Sequence, residues 1–452
     1  MSRGAALFLG SVLLALVVGH LLRETPGYVV RDESGVYQGD ITHYVYWTRL
    51  VTLGGIQSAY SGTWPETYAV YPPVTLYPYW LVGSIYRAVV DPSFDPTAAQ
   101  QSLWLHEAIK LVALAWHLLT GIALWLLLRR MVSPTCAGVA AAMYVANPAA
   151  LYDVAHWAQP DGAHALFSVL AIGLLSLGAL PWAFCAMALA ALAKPQAWAI
   201  LPLFGIASLR SHAYARVVRG LFAAAAVALA VLAPFILTGH VRDLLSLPSA
   251  ISTVMPVVSA DAHNMWRLVL DLRGQDPMFV NDSTRFVGPL THRAVAAVLV
   301  LGVLVCTAWL YWTRRVGLSE AAALAVLGWF NFTTQAHENH LFFALPLLSL
   351  AWPTRRSLLL PFGLLTLTVL LNMLLHDQLV IERLGSSLDD PRVELLRTLN
   401  AAANIVVWAG WTALAVARRA MVVPSIAAMG EDSTTVNAGG RSDAVVRTTV
   451  PG

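Results

Sequence analysis

Four short stretches of the sequence carry side chains suited to chemistry. Gly39-Asp40-Ile41-Thr42-His43-Tyr44-Val45-Tyr46-Trp47 sets one acid among aromatics, with Tyr71-Pro72-Pro73 following after a loop. Tyr152-Asp153-Val154-Ala155-His156-Trp157-Ala158-Gln159-Pro160-Asp161-Gly162 comes next, then Lys194-Pro195-Gln196, then Thr334-Gln335-Ala336-His337-Glu338-Asn339-His340. A carboxylate such as Asp40 is either a solvated loop acid or a general base, which must be held beside the hydroxyl it deprotonates. Lys194 interrupts an alanine-leucine run. It is either an interfacial lysine that snorkels from a helix end or a cation for a phosphate, with Pro195 breaking the helix toward a cavity. His337 and His340 stand three apart, whereas a zinc-protease helix needs its histidines four apart in HExxH. Phosphate contacts suit them better than a metal, and no metal site is expected.

Composition says what must position these groups. The 452 residues are 58% hydrophobic and 12% charged, with mean hydropathy +0.65, and soluble domains carry roughly 25% charged residues. An all-α polytopic membrane protein is expected. The 16 tryptophans and 14 tyrosines suit interfacial anchoring. A net charge of +3, dispersed along the chain, gives no footprint for nucleic acid. Cys136, Cys185 and Cys306 sit far apart in apolar runs and read as small buried hydrophobes. No Walker loop, convincing GxGxxG or heptad pattern appears. Asn281-Asp282-Ser283 and Asn331-Phe332-Thr333 fit the glycosylation pattern by chance.

Residues 5–22 read as a retained anchor helix with a cytoplasmic N-terminus. A long external segment, about 23–105, follows and contains a short interfacial or re-entrant helix over Tyr77–Val90. Further spans are expected at 107–128, 132–150, 162–179, 181–194, 196–208, 217–238, 293–313, 319–334, 337–353, 357–375 and 398–417, giving about twelve. Several fall short of the ~20 residues of a straight span and must be broken or buried around a cavity. With these spans Arg129-Arg130, the cluster Arg210, Arg216 and Arg219, Arg314-Arg315, Arg355-Arg356 and Arg418-Arg419 share one side, the cytoplasmic one by the positive-inside rule. Asp40, Asp161, Lys194, the second external loop 239–292 and His337–His340 then share the other face. Ionisable residues at a membrane edge are functional candidates by default. Residues 1–424 form the membrane domain and 425–452 a disordered cytoplasmic tail.

The order of these motifs resembles the GT-C glycosyltransferases that use lipid-phosphate sugars. Gly39-Asp40 with Trp47 and Tyr71-Pro72-Pro73 is similar to their first external loop. Two branches share the likeness: the dolichyl-phosphate-glucose glucosyltransferases and the bacterial family like the second mannosyltransferase of GPI-anchor synthesis. Gln159-Pro160-Asp161 looks like the latter's Gln-Val-Asp, Lys194-Pro195-Gln196 its Lys-Pro-Gln, and His337-Glu338 the start of its His-Glu-Arg or His-Glu-Lys. The sequence departs from the pattern at Pro160, Gly162 and Asn339, the last standing where a base is expected. No Asp-x-Asp occurs in the first loop.

The resemblance implies a GT-C-like helical bundle that moves a single hexose, mannose favoured, from a polyprenyl-phosphate donor. The acceptor is a lipid- or glycan-linked hydroxyl on the outer face of a bacterial cytoplasmic membrane, and the transfer inverts the anomeric centre. No cofactor is implied. Asp40 would be the base. Lys194, His337, His340 and Arg285, with Arg267 as a weaker candidate, would meet the donor phosphate. Trp47, Tyr71, Gln159, Asp161, Gln196 and Glu338 would bind sugar or acceptor or orient their neighbours. A transporter or flippase is the rival from another class, and a polymerase or ligase of the same architecture is the rival within it.

Overall fold

The structure, a computed structural model, describes residues 3–25, 30–31, 37–63 and 67–420; the tail expected to be disordered lies outside them. The described residues are helical almost throughout, and the longest strand among them, Arg285–Val287, has three residues. Six helices are long and apolar enough to cross a membrane: Arg3–Leu21, Leu103–Leu128, Tyr214–Leu237, His292–Trp312, Arg356–Leu374 and Pro391–Ala417. Five shorter apolar helices, Pro134–Val145, Asp161–Ser176, Leu180–Ala191, Leu318–Phe332 and His340–Thr354, complete the bundle. The chain is therefore a polytopic membrane protein.

The shorter helices stop where side chains stop them. The expected span 132–150 ends early, because Asn147 Oδ1 accepts the amides of Ala149 and Ala150 at 3.0 and 3.2 Å and starts a new turn at Pro148. The expected span 196–208 is instead a 3₁₀ turn, Pro195–Ile200, followed by the ten-residue helix Leu201–Arg210, as Pro195 and Pro202 lack the amide a continuous helix needs. Tyr152–His156 forms a π-turn, a bulge often found at functional sites. Three of the non-glycine residues in left-handed backbone, Ala158, Asp261 and Gln335, lie in these breaks and the loop beside them. Strain of this kind gathers at working sites.

The segment after the first helix folds back onto the bundle as two helices, Asp40–Gly54 and Pro73–Val89. They pack so closely that a Cβ on Gly83 would sit 2.0 Å from Thr52 Oγ1. The loop 239–292 carries helices Val241–Val254 and Met265–Asp271 and the small antiparallel pair of Arg285–Val287 with Leu290–Thr291. At the opposite end the arginines of several basic clusters meet: Arg315 donates to the carbonyl of Arg418 at 2.7 Å, and Arg355 to that of Arg315 at 3.5 Å.

Candidate active site

The helix breaks and the helix Asp40–Gly54 converge on one cavity of about 330 Å³. Asp40 enters it from the first residue of its helix, where the helix dipole favours a negative charge. Its Oδ2 accepts a short hydrogen bond from Gln159 Nε2, and Gln159 Oε1 in turn accepts from Tyr44 Oη at 2.7 Å. Gln159 thus ties the helix Asp40–Gly54 to the break after the π-turn and gives Asp40 one defined direction. Asp40 is half-buried, and loss of water raises its pKa above the ordinary carboxylate value, only partly offset by His43 and Lys194. A base with a raised pKa is matched to proton removal near neutral pH.

Tyr71 is placed by its prolines. Pro73 starts its helix, and that start docks on the end of Leu180–Ala191: Val74 N donates to Leu192 O at 2.9 Å and Thr75 Oγ1 to Ala193 O at 2.6 Å. Tyr71 therefore lies over Lys194, whose Nζ is 5.0 Å from the ring centre. Trp47 packs edge-on against Tyr71 at 5.2 Å, and Tyr44 stacks on Tyr79 at 5.7 Å. These rings make a rigid aromatic wall.

Lys194 is buried and ion-paired with buried Asp161, so it does not face the cavity as a loose cation. Asn339 Nδ2 donates to Asp161 Oδ2 at 3.0 Å and to Asp153 Oδ1 at 3.3 Å, bridging two carboxylates behind the wall. A basic side chain at 339 would satisfy the second acid with charge; the amide does so with hydrogen bonds alone. The chain has only two lysines, and the other, Lys110, donates to Leu22 O, Thr25 O and Thr25 Oγ1.

His337, Glu338 and His340 line the same cavity with Trp329. The amide of His337 donates to His340 Nδ1 at 3.1 Å, which leaves the proton of a neutral His340 on Nε2. Burial pushes the His337 pKa down to about 4, helped by Lys194, and pushes that of Glu338 well up, helped by Asp40 and Asp261. The His337 ring and Glu338 carboxylate stand 3.8 Å apart. Buried Asp282 steers this loop by accepting from Thr334 Oγ1 and Gln335 Nε2, each at 3.0 Å, while bonded to Arg293.

Asp40, Trp47, Tyr71, Gln159, Gln196, His337, Glu338 and His340 thus line one cavity, with Lys194 and Asp161 packed directly behind it. Arg285 is exposed on its strand, outside the cavity lining. Arg267 is bonded to Asp271 and Glu394. His43, Tyr44 and Trp329, and the apolar rim of Ile251, Val254 and Met255, belong to the cavity as well. His43 and Tyr44 stand within the Asp40 stretch, three and four residues on, and that helical spacing was the available signal. No group of three or more His, Cys, Asp or Glu side chains placed to hold a metal ion occurs among the described residues.

No protein-family model matches the chain, and no curated protein does. Among solved structures, the chain is similar to ArnT from Cupriavidus metallidurans bound to undecaprenyl phosphate: 14% identity, 90% of this chain and 76% of that one covered, TM-score 0.48. For the same protein in the apo state the figures are 14%, 92%, 77% and 0.47. A likeness this distant carries no function across.

Proposed function

We propose that this protein is a membrane glycosyltransferase of the GT-C kind. It moves one hexose, with mannose the first choice, from a polyprenyl-phosphate donor to a hydroxyl of a lipid- or glycan-linked acceptor at the outer membrane face. One observation carries the reading. Residues far apart in the chain, Asp40, Gln159, Gln196 and the His337–His340 segment, meet on one cavity at the broken ends of apolar helices. A transfer between membrane-held partners needs such a place, lined by a base and by hydrogen-bond donors.

Asp40 takes the acceptor proton as the acceptor oxygen bonds to the anomeric carbon. The bond from that carbon to the phosphate oxygen breaks, and its electron pair leaves with the phosphate. Attack opposite the leaving group inverts the anomeric centre. A phosphate departs without protonation, so no second acid is required, in contrast to a glycosidase. Growing charge on the phosphate needs hydrogen-bond donors held in place beforehand. His340 Nε2–H, His337 and Gln196 are the candidates on the cavity wall; Lys194, held by Asp161, contributes its field from behind Tyr71. The apolar rim of Ile251, Val254 and Met255 would receive the first isoprene units. The reaction as written needs no metal.

The test uses the purified protein in nanodiscs with undecaprenyl-phosphate mannose or glucose, labelled in the sugar, and a membrane-lipid extract as acceptor. Label passing from the donor into a new product, of opposite anomeric configuration by NMR, supports the reading and names the sugar. Intact donor in every combination, with folded protein, sinks it.

A further inference from the structure

A second polar cluster lies apart from the cavity lining. His263, His376, Asn372, Asn400 and Asn404 are all buried; His263 comes from the loop 239–292, Asn372 and His376 from the end of the helix Leu359–Leu374 and the residues just after it, and Asn400 and Asn404 from within the helix Pro391–Ala417. Their hydrogen bonds form a ladder of one polarity. Asn400 Nδ2 donates both to Thr368 O at 2.9 Å and to His263 Nδ1 at 2.7 Å. A carbonyl oxygen can only accept, so the amide presents its NH₂ there and His263 Nδ1 is an acceptor. The His263 proton then sits on Nε2, facing His376 Nε2 at 3.0 Å. One proton fills that contact, so His376 carries its own on Nδ1, which faces Asp261 Oδ1 at 3.3 Å. Every donor points toward Asp261.

Asp261 is held in left-handed backbone, φ +59°, a conformation Asp tolerates better than most side chains. Asn372 brackets it, donating to Asp261 O at 2.8 Å and accepting from His263 N at 2.9 Å; Asn404 Nδ2 donates to His263 O at 2.9 Å. The other side of this loop is bonded to the cavity wall. Ala260 N donates to Ala336 O at 2.9 Å, Gln335 N donates to Val257 O at 3.2 Å, and Ala260 and Asp261 form bridges with His337.

We propose that His263 and His376 are positioning residues: their ladder locks Asp261, and the loop so locked sets the backbone of Ala336, His337 and Glu338 in the cavity wall. The ladder needs both imidazoles neutral, since a further proton on either would oppose N–H to N–H. Burial, with Arg267 and Arg397 beside them, holds both pKa values well below the usual histidine value. Asp261 shares these arginines, and its carboxyl is pushed up to about 6 by burial. Glu394 is bonded to both guanidiniums and Asp271 to Arg267.

The test compares His376→Gln, whose amide can both accept from residue 263 and donate to residue 261, with His376→Leu, which can do neither. The primary readout is backbone amide exchange at Ala260 and Gln335 in nanodisc-held full-length protein, which does not depend on any catalytic assignment. We expect the Leu variant to exchange about tenfold faster at both amides, the loss of about one buried hydrogen bond, and the Gln variant to stay within about threefold of wild type. Faster exchange at Ala260 with unchanged Gln335 would overturn the proposal, as would a Gln variant no better than Leu. If the Leu variant does not insert, His376→Asn replaces it, keeping the donor to Asp261 and cutting the link to His263; unchanged exchange there also overturns it. Sugar transfer, which rests on the proposed function, is a second readout. A fall in turnover that tracks Gln335 exchange and is rescued by Gln is expected, and a fall in both Leu and Gln variants with normal exchange contradicts it.

Discussion

The Leu318–Phe332 helix has buried acid at both of its ends, and the two ends satisfy it in opposite ways. At its first turn Glu320, 4% exposed, accepts from Trp411 Nε1 at 3.1 Å and is paired with Arg355 at 3.2 Å and with Arg418. Two cations serve one carboxylate, and the cluster ties three helices together. Beyond its last turn lie Asp40 and Glu338 on the cavity and Asp153 and Asp161 behind it, with Lys194 as the one ammonium and amides from Gln159 and Asn339 filling in. Structural acids are matched with charge. At the cavity end Asp161 is paired with Lys194, whereas Asp40 is held by the Gln159 amide, a neutral donor that, in the proposed function, orients the carboxylate without committing it.

That contrast can be broken at either end. Lys194→Met removes the ammonium at the cavity end and leaves Asp161 as an unpaired buried charge, which should destabilise the protein by about 3–5 kcal/mol. Adding Asp161→Asn should recover most of the loss, read from thermal unfolding in detergent. Glu320→Gln leaves two arginines facing an amide at the other end; because both are about a quarter exposed, a smaller loss of about 2 kcal/mol is expected, with sugar transfer per folded molecule unchanged. Gln159→Leu removes the donor to Asp40 while leaving the charge. Transfer should fall about tenfold, the worth of one positioning hydrogen bond, with little change in unfolding temperature. Arg285→Ala, on the exposed strand, should change transfer by less than about twofold; a large loss would bring Arg285 into the site.

Much of this arrangement is legible in the sequence because it is local. Helix breaks at Lys194-Pro195 and Thr333–Asn339 follow from proline and polar residues in apolar runs, and the basic pairs mark the other end; the break at Asn147-Pro148 lies inside the expected span 132–150 and departs from that expectation. The tethers between the breaks are another matter. Tyr44 with Gln159, Lys194 with Asp161 and His263 with His376 are separated by 115, 33 and 113 residues, and no spacing rule links positions so far apart. Whether Lys194 is a loose cation or a paired one depends entirely on such a tether. Arg285 and Arg267 show the converse: a cation in the right loop says nothing of where its guanidinium goes until its acids are known.

In the proposed function Asp40, oriented by the Gln159 amide, is the base of a sugar transfer. The direct measurement is single-turnover transfer from undecaprenyl-phosphate sugar against pH, for wild type and Asp40→Asn. Asparagine keeps the shape and can still accept from Gln159. Wild type should lose activity as pH falls through the Asp40 pKa, at a midpoint above the ordinary value of about 4. The variant should be slower by about 10²–10⁴-fold and lack that limb, while binding donor and unfolding at the same or a higher temperature. An Asp40→Asn protein that turns over at near-wild-type rate with the acid limb intact would contradict the account.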